Sequence, residues 1–226
     1  MISRVGKFLL DTFANPELQS VAAELGEVFL DRSTAEGVIK EIPIIGSVAS
    51  LARAGLTIHN RLFENKVRRF LFELDTVPPE ELESMIASLE ESGQSRTEVG
   101  EKLLYILDAC EDQSAAAIVG KLFVSYLQRK LTYDEFVRAS RASRMVGTED
   151  FTTFIRTQEG SWSLEEAGEF VAAGLLYFCE PELELGRQRH TGSMVRGMKP
   201  MVAKSSSLGS KIRDVLGPAI TKPAPT

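Results

Sequence analysis

The chain has 226 residues, of which 43% are hydrophobic and 26% are charged. These proportions are typical of a soluble globular protein that buries one large core or two small ones, and they exclude a disordered or collagen-like chain. The net charge is −6, but residues 187–226 hold eight Lys and Arg against one Asp (+7), which leaves −13 for residues 1–186. This asymmetry predicts an acidic body with a basic C-terminal segment that docks on a partner or on the body itself.

The cysteines and the N-terminus indicate the compartment. Cys110 and Cys179 lie 69 positions apart without Cys-x-x-Cys spacing. We therefore expect buried structural thiols in a reducing environment, without a disulfide framework. The first apolar run ends at Asp11 and no small-residue cleavage site follows it, so we expect no signal peptide. A cytoplasmic location follows, with a peripheral position at the inner membrane as the alternative.

Helical periodicity dominates the first 160 residues. Asn15-Pro16-Glu17 is a capped helix start, followed by an apolar stripe that ends at Phe29. Apolar residues three or four apart, with capping residues and breakers between them, predict further helices over residues 59–74, 82–89 (after a capped start at 76–81), 99–107, 115–127, 133–145 and 151–155. Thr132-x-x-Glu135 is a capping box.

The segment Ile42–Ile58 is unusually apolar. Its 17 residues include one charge, Arg53, and small residues that allow a neighbouring helix to approach closely. It is shorter than the approximately 20 residues that a membrane span needs, so a buried central helix is the favoured interpretation. The alternative is a membrane-associating effector, which would use this helix with the basic amphipathic stretch 59–74. Its candidate membrane contacts are Arg53, Arg61, Lys66, Arg68 and Arg69.

After Gly160 the pattern changes to a mixture of helix and strand. A helix over 163–175 precedes an extended stretch, Tyr177–Leu185, and residues 193–203 are expected to return as a second strand. Residues 205–216 are expected to form a closing helix, and the proline-containing residues 217–226 a disordered tail.

This order of helix, hairpin and helix outlines a winged-helix-like module. The sequences Ala172-Ala-Gly-Leu-Leu176 and Ser207-Leu-Gly-Ser-Lys-Ile-Arg-Asp-Val-Leu216 resemble the end of many bacterial winged-helix domains. The blocks at 42–46, 60–63 and 67–71 are similar to uncharacterised bacterial helical proteins that end in such a module. The resemblance implies a bacterial protein and carries no activity with it. A role in a bacterial defence or toxin-like system is a hypothesis drawn from it.

We therefore expect a mainly α fold: a multi-helix bundle followed by a small winged-helix-like α+β module. The predicted domains are a helical body (1–160), the module (161–216) and the tail (217–226).

Recognisable catalytic or metal-binding patterns do not occur in the sequence. The two histidines, His59 and His190, lie far apart, without His-Glu-x-x-His or Cys/His spacing. Gly120-Lys121 lacks the upstream glycine and the following Ser or Thr of a phosphate-binding loop. We therefore expect no enzyme, no catalytic or metal site and no cofactor or small-molecule substrate.

The remaining functional hypothesis is macromolecular binding. The basic residues around the predicted hairpin are the candidate partner contacts: Arg187, Arg189, Arg196 and Lys199. A protein partner or self-association is expected first, and a membrane surface is the alternative. DNA binding is a further alternative, although the helix that would enter the groove, Ser163–Phe170, carries three glutamates that a polyanion repels.

Overall fold

The structure is a computed structural model that describes Leu10 and residues 57–91, 95–157, 162, 164–179, 183–187, 194–198 and 201–221. Eight helices dominate this part of the chain, so the expected mainly α class is confirmed. In chain order the helices are α1 (Thr57–Leu74), α2 (Pro79–Glu91), α3 (Arg96–Asp108), α4 (Gln113–Leu127), α5 (Tyr133–Val146), α6 (Thr148–Arg156), α7 (Leu164–Ala172) and α8 (Ser207–Thr221). The strands between α7 and α8 are β1 (Leu176–Phe178), β2 (Leu183–Arg187), β3 (Met194–Met198) and β4 (Ala203–Ser205).

Side-chain caps begin several helices where the sequence predicts a start. The Thr132 hydroxyl accepts a hydrogen bond from the Glu135 amide at 3.3 Å, and the Glu135 carboxylate accepts one from the Thr132 amide at 2.9 Å. This reciprocal arrangement confirms the predicted capping box of α5. Asp112 caps α4 by accepting from the Ala115 amide at 2.8 Å. These contacts satisfy amide groups that have no partner within the first turn of a helix.

The chain divides into two compact units, residues 1–140 and 141–226. The division falls within α5, and the predicted boundary at residue 160 stays a prediction.

The core of the first unit is centred on α4. This helix buries residues on nearly all of its sides, and α1 packs closely against it. Phe123 of α4 lies 5.6 Å from Phe70 of α1 and 5.6 Å from Phe136 of α5, measured between ring centroids. Gly120 permits the close approach of α1, since a Cβ there would lie 2.8 Å from Cβ of Glu73. Gly120, which the sequence pattern does not assign to a phosphate-binding loop, is therefore a packing position.

The core of the second unit is an aromatic cluster. Phe154 of α6, Trp162 and Phe170 of α7 lie within 5.1–6.4 Å of one another between ring centroids. Trp162 also forms an antiparallel bridge with Ala203, which places it beside β4. Helix α8 packs on α6 and on β4 and closes this core.

Helix α8 is longer than the sequence predicts. It continues to Thr221, five residues past the expected end at Leu216, and it contains Pro218. The expectation that the tail begins at residue 217 is therefore wrong for residues 217–221. Gly217 and Pro218 suggested a helix end because both residues disfavour a helix interior. The remaining predicted tail, residues 222–226, lies outside the described residues.

The two cysteines differ in burial. Cys110 is buried at the end of α3, where its thiol donates to the carbonyl of Ile106 at 3.3 Å, as expected of a structural thiol. Cys179 follows β1 and is partly exposed, so its expected burial is incomplete. Both are free thiols.

A carboxylate is buried in the first unit. The side chain of Glu73 is 6% exposed and its Oε1 lies 2.7 Å from a guanidinium nitrogen of Arg69. Burial raises the pKa of Glu73, and the charges of Lys121 and Arg69 only partly oppose this rise. The Arg69 side chain is 38% exposed and lies over the ring of Phe72, so it does not depend on Glu73 for a polar environment.

We predict that Glu73→Gln stabilises the protein at pH 7, by on the order of 1 kcal/mol. Because the pKa of Glu73 is raised on folding, the folded state binds the proton more readily than the unfolded state does. The buried charge of Glu73 therefore destabilises the fold fully at pH values above the pKa in the folded state. This destabilisation is relieved as the pH falls toward 4.5, the ordinary pKa of a glutamate side chain. The stability difference between the Glu73→Gln variant and the wild type should therefore become smaller at low pH. Urea unfolding at pH 7 and pH 4.5 measures both effects, with exposed Glu83→Gln as the control. A variant less stable than the wild type at both pH values would contradict this prediction. It would show that the attraction between Glu73 and Arg69 exceeds the cost of burying the charge of Glu73.

Candidate functional site

The predicted hairpin is present. Its strands pair in two antiparallel ladders that share the same register. Leu176 pairs with Ser205 in the β1–β4 ladder, and Leu183 pairs with Met198 in the β2–β3 ladder. These pairs are seven residues apart on each strand, so the register is the same in both ladders. The Cys179 amide donates to the carbonyl of Val202 at 2.9 Å, which extends the pairing beyond β1.

Two of the four predicted partner contacts lie on the β2–β3 ladder. Arg187 pairs with Met194, and Arg196 pairs with Leu185. Directly opposed residues of an antiparallel pair share a face, and so do residues two apart on one strand. Arg187 and Arg196 are therefore diagonal neighbours on the same face. Arg189 and Lys199 lie outside the described residues.

The register makes this ladder amphipathic. One face carries apolar residues and both arginines, and we call it the arginine face: Leu183, Leu185, Arg187, Met194, Arg196 and Met198. The opposite face carries an acid, two glycines and a valine: Glu184, Gly186, Val195 and Gly197. Five residues per strand at about 3.4 Å each give a face about 17 Å long. Its apolar residues and its cations are thus concentrated on one side of the ladder.

Among the described elements, β2 and β3 pack closely on each other, and neither packs to a similar extent on a helix or on the other ladder. An isolated two-stranded hairpin is only marginally stable in water, and a helix packed on its apolar face stabilises it.

Apolar side chains are also exposed at the base of the hairpin. Tyr177 is 50% exposed on β1 and stands opposite Lys204, which is also exposed. Phe178 is 39% exposed, and Met201, just before β4, is 40% exposed. Leu176, at the start of the same strand, is buried. Along β1 the chain therefore passes from the buried core at Leu176 to the exposed surface at Tyr177.

The base of the hairpin is joined to α7 and α8 by Ser206. Its hydroxyl donates to the carbonyl of Gly174 at 2.7 Å and accepts from the Gly209 amide at 3.0 Å, which caps α8. Its amide donates to the carbonyl of Leu175 at 2.9 Å. Gly174 has a φ of 77° and ends α7, as a left-handed glycine commonly does after a helix. One serine therefore fixes the start of α8 against the end of α7.

Arg213 of α8 anchors the same region from the other side. Its Nε donates to the carbonyl of Phe154 at 3.0 Å, and its guanidinium lies 4.1 Å from the centroid of the Phe154 ring. A second guanidinium nitrogen donates to the Ser205 hydroxyl of β4. Arg213 contributes to the basic excess of the sequence, but its side chain binds within its own unit. The hairpin is thus held at its base by α6, α7 and α8.

The exposed side of α7 is acidic. Glu165, Glu166 and Glu169 are all exposed on this helix, and none of them is buried against β1 or β4. A helix with this charge is repelled by nucleic-acid phosphates.

Three of the basic residues assigned to a membrane surface have partners within the first unit. The Lys66 ammonium donates to the carbonyl of Asp108 at 3.0 Å, at the negative end of α3. Arg68 lies 3.7 Å from the Glu64 carboxylate, and Arg69 is paired with Glu73. Arg61 lies on α1, and Arg53 and most of Ile42–Ile58 lie outside the described residues. The membrane alternative stays a prediction.

No helix in the described part of the chain is long and apolar enough to cross a membrane. Within the same residues, no three His, Cys, Asp or Glu side chains are grouped as metal ligands would be.

The arginine face was not identified from the sequence, although the arginines were. Alternation along Leu183-Glu-Leu-Gly-Arg187 indicates one apolar face, but the pairing with Met194–Met198 depends on the register. Alternation within one strand does not fix its register with the other strand.

Comparison with protein-family models, with curated proteins and with solved structures found no match for this chain.

Proposed function

We propose that this chain is a non-enzymatic interaction protein that acts by binding another protein through the hairpin of its second unit. The observation that carries the proposal is the register of β2 and β3, which places four apolar residues and two arginines on one face of the ladder. The exposed Tyr177, Phe178 and Met201 add apolar surface at the hairpin base. Aromatic residues, Met and Arg are the types enriched where proteins bind one another.

A protein partner agrees with this surface better than a nucleic acid does. A phosphate backbone is recognised by cations and polar groups, and it leaves Leu183, Leu185, Met194 and Met198 with nothing apolar to contact. The exposed glutamates of α7 lie in the same unit and oppose a polyanion.

A winged-helix-like organisation of the second unit is part of the proposal. Its support is the order of α6, the bridge at Trp162, α7, the hairpin and α8, with Trp162 and β1 on either side of β4. In this organisation the hairpin corresponds to the wing, and the wing rather than the acidic helix contacts the partner.

Photo-crosslinking in cells that express the full chain tests the proposed function. We expect p-benzoylphenylalanine at Leu185, on the arginine face, to form an adduct with a discrete protein. The same residue at Val195, on the opposite face of the same ladder, is the matched control and should form it at least fivefold less. Equal labelling from both faces, or labelling of lipid or nucleic acid in place of protein, would contradict the proposal.

A further inference from the structure

We propose that this chain associates with a second copy of itself, through a basic face of α5 in one copy and an acidic face of α7 in the other. The proposal concerns a different surface from the hairpin and does not rest on the proposed function. Both faces lie in the second unit, residues 141–226.

The basic face lies at the C-terminal end of α5. Three residues spaced three or four apart share this side of the helix and form the face: Arg141, Arg144 and Met145. Arg141 is exposed, Met145 is 48% exposed and Arg144 is half-buried. Arg138, one turn earlier, is paired with Asp134, whereas neither arginine of the basic face has a carboxylate partner among the described residues. Two cations beside an apolar side chain are therefore available to a partner.

The acidic face covers the exposed side of α7. It combines two carboxylates with two small residues, all exposed and three or four positions apart: Glu165, Gly168, Glu169 and Ala172. The opposite side of the helix is buried at Ala167 and Phe170. A Cβ added at Gly168 would meet nothing within 4 Å. Small residues four apart let a neighbouring helix approach closely, so this side of α7 has room for side chains of another helix.

The helix dipole accounts for only part of this arrangement of charges. Acids in a first turn and bases in a last turn complement the dipole, which explains Glu165 and Arg144. Glu169 lies in the last turn of α7, where the dipole disfavours a carboxylate. A cation from a partner would compensate this unfavourable position.

The two faces complement each other in charge, spacing and shape. The arginines of the basic face are about 4.5 Å apart along the helix axis, and the glutamates of the acidic face are about 6 Å apart. A guanidinium binds a carboxylate through charge-assisted hydrogen bonds, and the flexible Met145 side chain fits above a glycine and an alanine.

A second copy is the occupant that supplies both complements at once. The residues of the two faces are exposed or half-buried within one copy, so the faces do not cover each other there. Every copy carries both faces, and two copies therefore offer each other an acidic face for a basic one. Ion pairs at a surface contribute little individually, so we expect the association to be weak and to depend on salt.

Sedimentation velocity of the full chain, from about 5 to about 200 µM, tests the proposal. At 50 mM NaCl the weight-average sedimentation coefficient should rise with concentration, and at 500 mM it should stay at the monomer value, since salt screens charge pairs near a surface. Arg141→Glu with Arg144→Glu should remain monomeric at the highest concentration. Glu165→Arg with Glu169→Arg should do the same.

Mixing these two variants tests whether the faces bind each other. Copies reversed on α5 carry two acidic faces and copies reversed on α7 carry two basic ones, so each variant repels itself and binds the other. The equimolar mixture should recover at least half of the wild-type rise in sedimentation coefficient. Lys130→Glu with Arg156→Glu, two exposed positions outside both faces, changes the net charge as much as the α5 reversal and should associate as the wild type does.

Circular dichroism shows whether each variant is folded. Where a reversal unfolds the chain, the neutral variants Arg141→Gln and Glu169→Gln replace it, and each should weaken the association at least threefold. A wild-type chain that stays monomeric at 50 mM NaCl would overturn the proposal. Association that persists in the variants, or folded variants that stay monomeric when mixed, would overturn it as well. None of these outcomes alters the cross-linking expected at the hairpin.

Discussion

Gly209→Ala should destabilise the second unit by at least about 3 kcal/mol, at the upper end of the range for substitutions that overfill a packed site. An alanine Cβ at this position would overlap the carbonyl oxygen of Leu175 and lie 3.1 Å from Cζ of Phe154. That carbonyl is part of the backbone and already accepts a hydrogen bond from the Ser206 amide, so it cannot turn aside. Helix α8 would have to move away from β1 and from the aromatic core.

Gly168→Ala is the matched control for this prediction. Gly168 lies in α7, is exposed, and has nothing within 4 Å of an added Cβ. The same substitution there should stabilise the helix by about 0.5–1 kcal/mol, because alanine restricts the unfolded chain more than glycine does. Urea unfolding followed by circular dichroism should therefore separate the two variants by several kcal/mol. Equal stability of the two would show that α8 does not pack on Leu175 as described.

The helices were largely predictable from the sequence because their signals are local. The capping box at Thr132 and the breaks at 92–93 and at Gly147 lie next to the apolar stripes that they delimit. The described boundaries of α2, α4 and α6 agree with the predicted ones to within a few residues. The hairpin was also predicted, since its two strands read as extended stretches.

The contacts that hold the second unit together were not predictable from sequence patterns because they are not local. Gly209 has no special backbone angle, and its requirement for glycine arises from Leu175, which is distant in the chain. Arg213 counted as one of the eight basic residues of a segment expected to dock on a partner or on the body itself, whereas the structure engages it with Phe154, 59 positions earlier. A charge count measures the electrostatic potential of a segment, but only the fold shows which cations remain available.

Arg213→Met should destabilise the second unit by about 2–3 kcal/mol, which is the second-largest effect that we predict on stability. The substitution keeps an unbranched apolar stem beside Phe154, but it removes the donors to the Phe154 carbonyl and the Ser205 hydroxyl. Hydrogen bonds that involve a charged group contribute about 1.5–3 kcal/mol, and the contact of the guanidinium with the Phe154 ring adds to this.

Arg213→Lys and a double-mutant cycle show whether the geometry or the charge of Arg213 is responsible. Lysine keeps the charge but cannot donate at once to a helix carbonyl and to a strand hydroxyl with the planar guanidinium geometry. We expect it to recover less than half of the lost stability. Arg213→Met combined with Ser205→Ala should cost less than the sum of the two single variants, because each removes the same hydrogen bond. Full recovery by lysine would assign the role of Arg213 to its charge alone, and strict additivity in the cycle would show that its bond to Ser205 contributes nothing. The exposed ion-pair residue Arg138, replaced by alanine, should change the stability by less than about 0.5 kcal/mol and is the control for loss of a surface arginine.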